Sequence, residues 1–149
     1  MLKKILIMMV LALTVASFGN TNLPMPFERG TSIAHASPLE KIDGIYFWHG
    51  DMNYPISDIS GNKFCSGLDL SSAYVANDDA DELIISVTSI HFSYLEDTAV
   101  DYGKATFKED RHTGKAYLCF ENSPYCLSTD RQKTLNDAYY YLKCYLQVQ

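Results

Sequence analysis

The chain has 149 residues, with 12 basic and 18 acidic side chains and a formal net charge of −6. An acidic surface repels phosphate backbones, and no Lys/Arg cluster offsets that repulsion. We therefore expect no nucleic-acid partner, and anionic membrane surfaces are disfavoured for the same reason.

The N-terminus has the pattern of a cleavable export signal. Two lysines precede the apolar run Ile5–Leu13, as in signal peptides. The run extends over only about a dozen residues, short of the ~20 that span the hydrocarbon core, so we expect no stable membrane anchor. Cleavage is predicted after Ala16 or after Ala36, and the Ala-x-Ala pattern favours Ala36. We predict export to the periplasm, the cell surface or the medium.

Residues 1–36 are thus interpreted as signal peptide and cleavage region, and residues 37–149 as one secreted domain. This second part contains 113 residues, enough for one ordinary core. It carries nine basic and 17 acidic side chains, a net charge of −8, and all 11 tyrosines of the chain. The predicted mature domain is therefore small, acidic and rich in tyrosine.

All four cysteines lie in the predicted domain, and an even count in an exported chain indicates two disulfides. Four cysteines allow three pairings. Cys119 and Cys126 flank the turn-like segment Glu121–Pro124, so in a hairpin they face each other at a separation that permits a disulfide. By elimination, Cys65 pairs with Cys144.

Strand patterns dominate the sequence up to residue 120. In chain order the predicted strands are Asp43–His49, Leu68–Val75, Leu83–Phe92, Tyr102–Lys108 and Ala116–Phe120. Asp51–Gly61 is predicted to be a loop and Asn77–Glu82 a charged hairpin turn. Within the strongest strand, Ile85 and Val87 should face one side, and Ser86, Thr88 and Ile90 the other.

One helix is predicted, over Gln132–Leu146, with Ser128-Thr129-Asp130 as capping residues. Leucines, Ala138 and Tyr139 recur at helical spacing and form one apolar stripe. Cys144 falls nearly opposite that stripe, so it should point outward. A bridge between Cys144 and Cys65 then requires the loop that carries Cys65 to fold over the helix.

Strands first and a terminal helix last indicate an α+β fold. We expect an antiparallel β-meander of five or six strands with the C-terminal helix packed on one face. The absence of helices between the strands excludes a doubly wound α/β fold.

Three segments carry a resemblance: Tyr46–Asp51, Leu68–Tyr74, and Gly114–Tyr117 ahead of a tyrosine-rich helix. Because of these segments, the chain resembles small exported bacterial proteins of uncharacterised function over most of residues 40 to 147. More loosely, its aspartate-bearing strand, acidic turn and apolar strand are similar to surface-adhesin E-like domains. Neither resemblance implies a catalytic motif.

The candidate sites are all incomplete. The acidic turn Asp78–Glu82 lacks the EF-hand spacing and is interpreted as a solvated turn rather than a calcium site. His49 and Asp51 flank a glycine without a second histidine at metal-ligand spacing. Cys65 is a poor candidate nucleophile while a disulfide partner is available. The sequence therefore assigns no catalytic residue, no metal ligand and no cofactor.

Two functional hypotheses follow. The first is a non-catalytic module that binds a protein or glycan through an aromatic, acidic face, and it predicts an exposed Tyr/Trp patch. The second is a small extracytoplasmic enzyme or enzyme inhibitor. As an enzyme it would require His49, Asp51 or Cys65 to converge in a cleft. The sequence favours the first hypothesis and leaves ligand and oligomeric state undefined.

Overall fold

The computed structural model describes residues 37–149, so the predicted export signal lies outside the described residues. The elements are, in order, β1 (Leu39–Ile42), β2 (Ile45–Trp48), β3 (Ile56–Asp58), β4 (Phe64–Asp78), β5 (Glu82–Ser93), β6 (Thr98–Asp110), β7 (Lys115–Phe120), β8 (Cys126–Ser128), a 3₁₀ turn (Thr129–Arg131) and α1 (Lys133–Leu146). Between residues 37 and 149 no helix is long and apolar enough to cross a membrane.

Strands β3 to β8 form one curled antiparallel sheet in which every neighbour in space is also a neighbour in sequence. Strands β1 and β2 form a separate antiparallel hairpin. Helix α1 packs against one side of the sheet, which we call the helix side; the opposite side is the outer side. This arrangement confirms the predicted α+β meander with a C-terminal helix.

The N-terminal strand prediction was confirmed over Ile45–Trp48, but Asp43 and Gly44 form a turn, and the strand before that turn was missed. Asp43 and Gly44 have φ angles of 50° and 90°, as in the tight turns of two-residue β-hairpins. The strand predicted over Asp43–His49 is therefore half of the β1–β2 hairpin. The predicted loop Asp51–Gly61 likewise contains the short strand β3, which its Pro, Ser and Asp residues concealed.

The largest apolar cluster lies between the sheet and α1, and we call it the helix cluster. Leu83, Ile85 and Val87 of β5 point to this side, as predicted, and Phe107 of β6 stacks on Tyr139 of α1 at 4.9 Å between ring centres. The predicted stripe of α1 is buried here through Leu135, Ala138, Tyr139 and Leu142. The helix is therefore held by the apolar face that its sequence repeats.

A second apolar cluster, which we call the tryptophan cluster, lies at the other end of the sheet and on its outer side. Ile90 and Phe92 of β5 point there because they alternate with the residues that face α1. Trp48 of the β1–β2 hairpin stacks on Phe92 at 4.5 Å between ring centres. Strand β5 therefore buries opposite sides along its two halves.

Strand β4 contains a wide irregularity. Asp69 lies opposite Thr88 and Tyr74 opposite Ser86, so residues 70–73 all oppose Val87. The Ser72 hydroxyl accepts a hydrogen bond from the Thr88 amide at 2.8 Å. This bulge bends β4 just after Leu68 and Asp69, and Leu70 at its start is buried in the helix cluster.

The predicted capping of α1 was also wrong. Thr129 belongs to a 3₁₀ turn and is buried, where its hydroxyl donates to the Ala116 carbonyl at 3.2 Å. Gln132 occupies the N-cap position without a side-chain hydrogen bond. The Thr129 hydroxyl therefore takes part in tertiary packing, rather than in the helix capping that the sequence had predicted.

A buried carboxylate fastens α1 to β6. Glu109 accepts hydrogen bonds from the Tyr139 hydroxyl at 2.5 Å and from the Lys143 ammonium at 2.9 Å. Burial raises the pKa of the Glu109 carboxyl, but these two hydrogen bonds and the positive charges of Lys143 and Arg111 together lower it by more, so the net pKa is below its ordinary value. The carboxylate is therefore held ionised between sheet and helix.

One of the two predicted disulfides is present. Cys119 of β7 lies directly opposite Cys126 of β8, with 4.3 Å between their Cα atoms, and the two are bridged. The second prediction was wrong: Cys65 and Cys144 are free thiols. Cys65 is buried in the tryptophan cluster on the outer side, whereas Cys144 is exposed on α1, which packs on the helix side.

Candidate binding surface

The candidate catalytic residues do not form a common site. The His49 imidazole Nε2 bonds to the Asp97 carboxylate at 2.6 Å. Asp51 instead accepts hydrogen bonds at 2.9 Å from the amide and side chain of Asn53, which closes a turn. Each side chain therefore has a local structural partner, and no hydrogen bond joins His49, Asp51 and Cys65 within residues 37–149.

Cys65 is a poorly activated thiol. Its side chain is 3% exposed among the aromatic rings of the tryptophan cluster. Burial raises the pKa of this thiol from 9.0 to about 11, and the nearby Asp58 carboxylate adds to that effect. Since the thiolate is the nucleophilic form, the environment disfavours a catalytic role.

The acidic turn between β4 and β5 has a structural explanation. One Asp79 carboxylate oxygen accepts the amides of Asp81 and Glu82, each at 2.9 Å. The other accepts the Asn77 side-chain amide at 3.0 Å. Hydrogen bonds from Asn77 and from the turn amides hold the pKa of Asp79 below its ordinary value. The carboxylate thus serves the hairpin turn that the sequence predicted.

Aromatic side chains are exposed on the outer side of the sheet. Tyr102 is 71% exposed, Tyr74 is 52% exposed and Tyr117 is 39% exposed. The strand register places them on one side, together with Lys104 and Lys108 of β6. We call this set of five residues the tyrosine face. The chain's single tryptophan is not part of it, because Trp48 is buried in the tryptophan cluster.

The tyrosine face is extended and carries positive charge. Tyr102 and Tyr117 are separated by about 20 Å along the strands, at ~3.4 Å per residue. Within residues 37–149 neither Lys104 nor Lys108 forms a salt bridge. Two free ammonium groups among tyrosine rings therefore stand out on a domain whose net charge is negative.

A cleft of about 310 Å³ opens beside β6, and we call it the edge cleft. Asp101–Lys104 of β6 form one wall, Phe120–Asn122 at the end of β7 form the other, and Ser89 and His91 of β5 lie behind. Gly103 has open space on its side-chain face, where an added Cβ would meet no atom within 4 Å. The cleft therefore lies where β6 extends beyond β7.

The polar groups of the edge cleft are not paired with other charged groups. Within residues 37–149, Asp101 and Glu121 form no salt bridge. The Asp101 carboxylate accepts a hydrogen bond from the Tyr102 amide at 2.8 Å. The cleft thus offers two carboxylates, one histidine and one aromatic ring to a bound group.

Sequence reasoning missed the edge cleft. Neither His91 nor the turn Glu121–Pro124, which supports the predicted Cys119–Cys126 bridge, carries a sequence pattern that indicates a cleft. One signal was present: a glycine inside the predicted strand Tyr102–Lys108 often marks a position where another chain or a ligand approaches the backbone. No sequence pattern shows that seven residues of β6, 98–104, extend beyond the end of β7.

Comparison with known proteins identifies no relative of this chain. No protein-family model matches the chain, and neither a curated protein nor a solved structure matches it.

Proposed function

We propose that this chain is an exported, non-catalytic binding module that recognises a protein or glycan partner through the tyrosine face. The observation that carries the proposal is the exposure of Tyr74, Tyr102 and Tyr117 on one side of the sheet. A tyrosine presents a large apolar ring and a polar tip at low cost in conformational entropy, which suits recognition surfaces.

The two lysines of the tyrosine face indicate the chemistry of its partner. Lys104 and Lys108 lie between the tyrosines, so a partner with acidic or hydroxyl-rich groups complements the face. The looser resemblance to surface-adhesin E-like domains points in the same direction, toward contact with a protein or a glycan at the cell envelope.

The disulfide and the predicted export signal both support a role outside the cytoplasm. The Cys119–Cys126 disulfide is typical of proteins that fold in an oxidising compartment. The signal pattern at residues 1–36 predicts the same location. We propose that the domain acts in the periplasm, at the cell surface or in the medium.

The test measures binding of the purified domain, residues 37–149, to a glycan array and to intact envelope preparations. The double variant Tyr102→Ala/Tyr117→Ala is expected to reduce binding at least tenfold, because buried interface tyrosines often contribute 1 to 2 kcal/mol each. Tyr145→Ala is the matched control, since Tyr145 is similarly exposed but lies on α1.

Equal binding by the double variant and the control would contradict the proposal. The enzyme hypothesis has its own readout: mass spectrometry of array glycans and envelope fragments after incubation with the domain. Products formed by the wild-type domain, and abolished by replacing His49 or Asp51, would replace the binding module with an enzyme.

A further inference from the structure

Strand β6 has a free edge next to the edge cleft. It pairs with β5 over its whole length, from Thr98 to Asp110, but with β7 only from Ala105 to Asp110. Residues 98–104 are all exposed. One side of this segment therefore presents backbone groups without a partner strand, and such groups are a template for another chain.

The direction of those backbone groups follows from a single hydrogen bond. The Tyr102 amide donates to the Asp101 side chain at 2.8 Å, so it does not donate to β5. Backbone groups alternate in direction along an antiparallel strand. The amides and carbonyls of Tyr102 and Lys104 therefore point toward the free edge.

The end of β7 limits what can occupy this edge. Phe120 is the last paired residue of β7 and lies opposite Ala105. The chain then turns away, with the Ser123 amide bonded to the Phe120 carbonyl at 3.1 Å. A strand added antiparallel to β6 opposite residues 104–101 must begin at this point, because Phe120–Asn122 block its path upstream.

The charges at this end fit an amino group. Glu121 lies in the blocking turn and forms neither a salt bridge nor a side-chain hydrogen bond within residues 37–149. A free α-ammonium group at the start of an added strand would lie next to this carboxylate. Charge-assisted hydrogen bonds of this type are among the stronger ones in proteins.

We propose that the free edge of β6 binds the N-terminal segment of another protein as an added antiparallel β-strand, with its α-ammonium group at Glu121. The backbone of Tyr102 and Lys104 supplies the ladder hydrogen bonds, and the edge cleft receives the side chains that point to the helix side. In the free domain the Asp101 carboxylate covers the Tyr102 amide, and it rotates away when the strand binds. This site shares Tyr102 and Lys104 with the tyrosine face, but it uses their backbone groups, whereas the tyrosine face uses their side chains.

The probes are two C-terminally amidated hexapeptide libraries, one with free and one with acetylated N-termini. The best binder from the first library is synthesised in both forms and titrated into ¹⁵N-labelled residues 37–149. We expect the amide signals of residues 101–104 to shift with the free peptide. Acetylation should weaken binding about tenfold, the effect of losing one charge-assisted hydrogen bond.

Four substitutions separate backbone pairing from other contacts. Lys104→Pro removes an edge amide and should abolish binding, whereas Lys104→Ala keeps the amide and should bind within about twofold of wild type. Glu121→Gln should weaken the free peptide about tenfold and leave the acetylated peptide unchanged. If Lys104→Pro fails to fold, Gly103→Leu places a side chain at a position where an added Cβ meets no atom within 4 Å, and it should also abolish binding by occupying the cleft.

Three results would overturn the proposal. They are the absence of any binder in either library, shifts confined to Tyr74, Lys108 and Tyr117, and concentration-dependent shifts at residues 101–104 without peptide, which would mean that a second copy occupies the edge. These peptide results do not depend on whether Tyr102→Ala/Tyr117→Ala loses glycan or envelope binding. Failure of the edge-strand proposal is therefore distinguishable from failure of the proposed function.

Discussion

The helix cluster and the tryptophan cluster bury opposite sides of the same sheet. The helix cluster joins residues of β4, β5, β6 and β7 to α1, whereas the tryptophan cluster joins the β1–β2 hairpin to the ends of β4 and β5. The first cluster connects most of the elements, and the second attaches one hairpin. Stability should therefore depend globally on the helix cluster and locally on the tryptophan cluster.

The largest expected effect comes from the centre of the helix cluster. Phe107→Ala removes a fully buried ring that stacks on Tyr139 and should lower the free energy of unfolding by about 4 kcal/mol. Phe92→Ala in the tryptophan cluster should cost about 3 kcal/mol and selectively increase hydrogen exchange in β1 and β2. Urea unfolding and exchange measurements check both. Uniform exchange in both variants would contradict the division into global and local clusters.

The disulfide should contribute the next largest effect, and it joins β7 to β8 on the outer side of the sheet, outside both clusters. Its cysteines are seven residues apart in sequence, and closing so short a loop in the unfolded chain corresponds to about 2.5 kcal/mol. Cys119→Ala/Cys126→Ala should lower the free energy of unfolding by that amount, as should reduction of the wild type. Cys144→Ala, at an exposed free thiol, is the control and should change it by less than about 0.5 kcal/mol.

The buried carboxylate gives the helix cluster a dependence on acid that the tryptophan cluster lacks. The pKa of Glu109 is lowered by folding, so its contribution is present above the ordinary carboxyl pKa of 4.5 and is lost as the pH falls below it. Glu109→Gln should cost about 2 kcal/mol at pH 7 and reduce the loss of stability in acid. Asp137→Asn, in an exposed pair with Lys133, should cost under about 0.5 kcal/mol. Equal acid sensitivity of Glu109→Gln and wild type would refute this role.

The smallest effect concerns Cys65 in the tryptophan cluster. Folding raises the pKa of its thiol from 9.0 to about 11, so the stability it contributes is complete below pH 9 and is lost as the pH rises toward 11. Cys65→Ala should reduce this alkaline loss.

In the native wild type, a thiol reagent should modify Cys144 quickly and Cys65 only after unfolding. Rapid modification of both thiols would show that the cluster opens readily.

Local sequence patterns predicted the elements whose residues repeat at the spacing of a strand or a helix. The alternation within Leu83–Phe92 specifies which residues share a side of the sheet, and the helical spacing of Leu135, Ala138 and Tyr139 specifies one apolar stripe; both were confirmed. The Cys119–Cys126 bridge was predictable because the turn between the cysteines sets their register.

Features that depend on distant partners were not predictable. Thr129 looks like a helix cap until the Ala116 carbonyl becomes its partner. The pairing of Cys65 with Cys144 followed only from elimination, and the side of the sheet that each occupies depends on tertiary packing. The edge cleft exists because β6 is longer than β7, and strand ends are the least certain feature of a sequence-based prediction.

The position of α1 after every strand constrains the order of folding. Synthesis proceeds from the N-terminus, so all six strands of the sheet are available before the residues of α1. Sequential pairing of neighbouring strands keeps contacts local and favours early sheet formation. Until α1 docks, however, the apolar side chains of β4 to β7 remain open to other chains. The nascent domain is therefore most prone to aggregate just before its last helix is complete, and a chaperone that protects it should act in that interval.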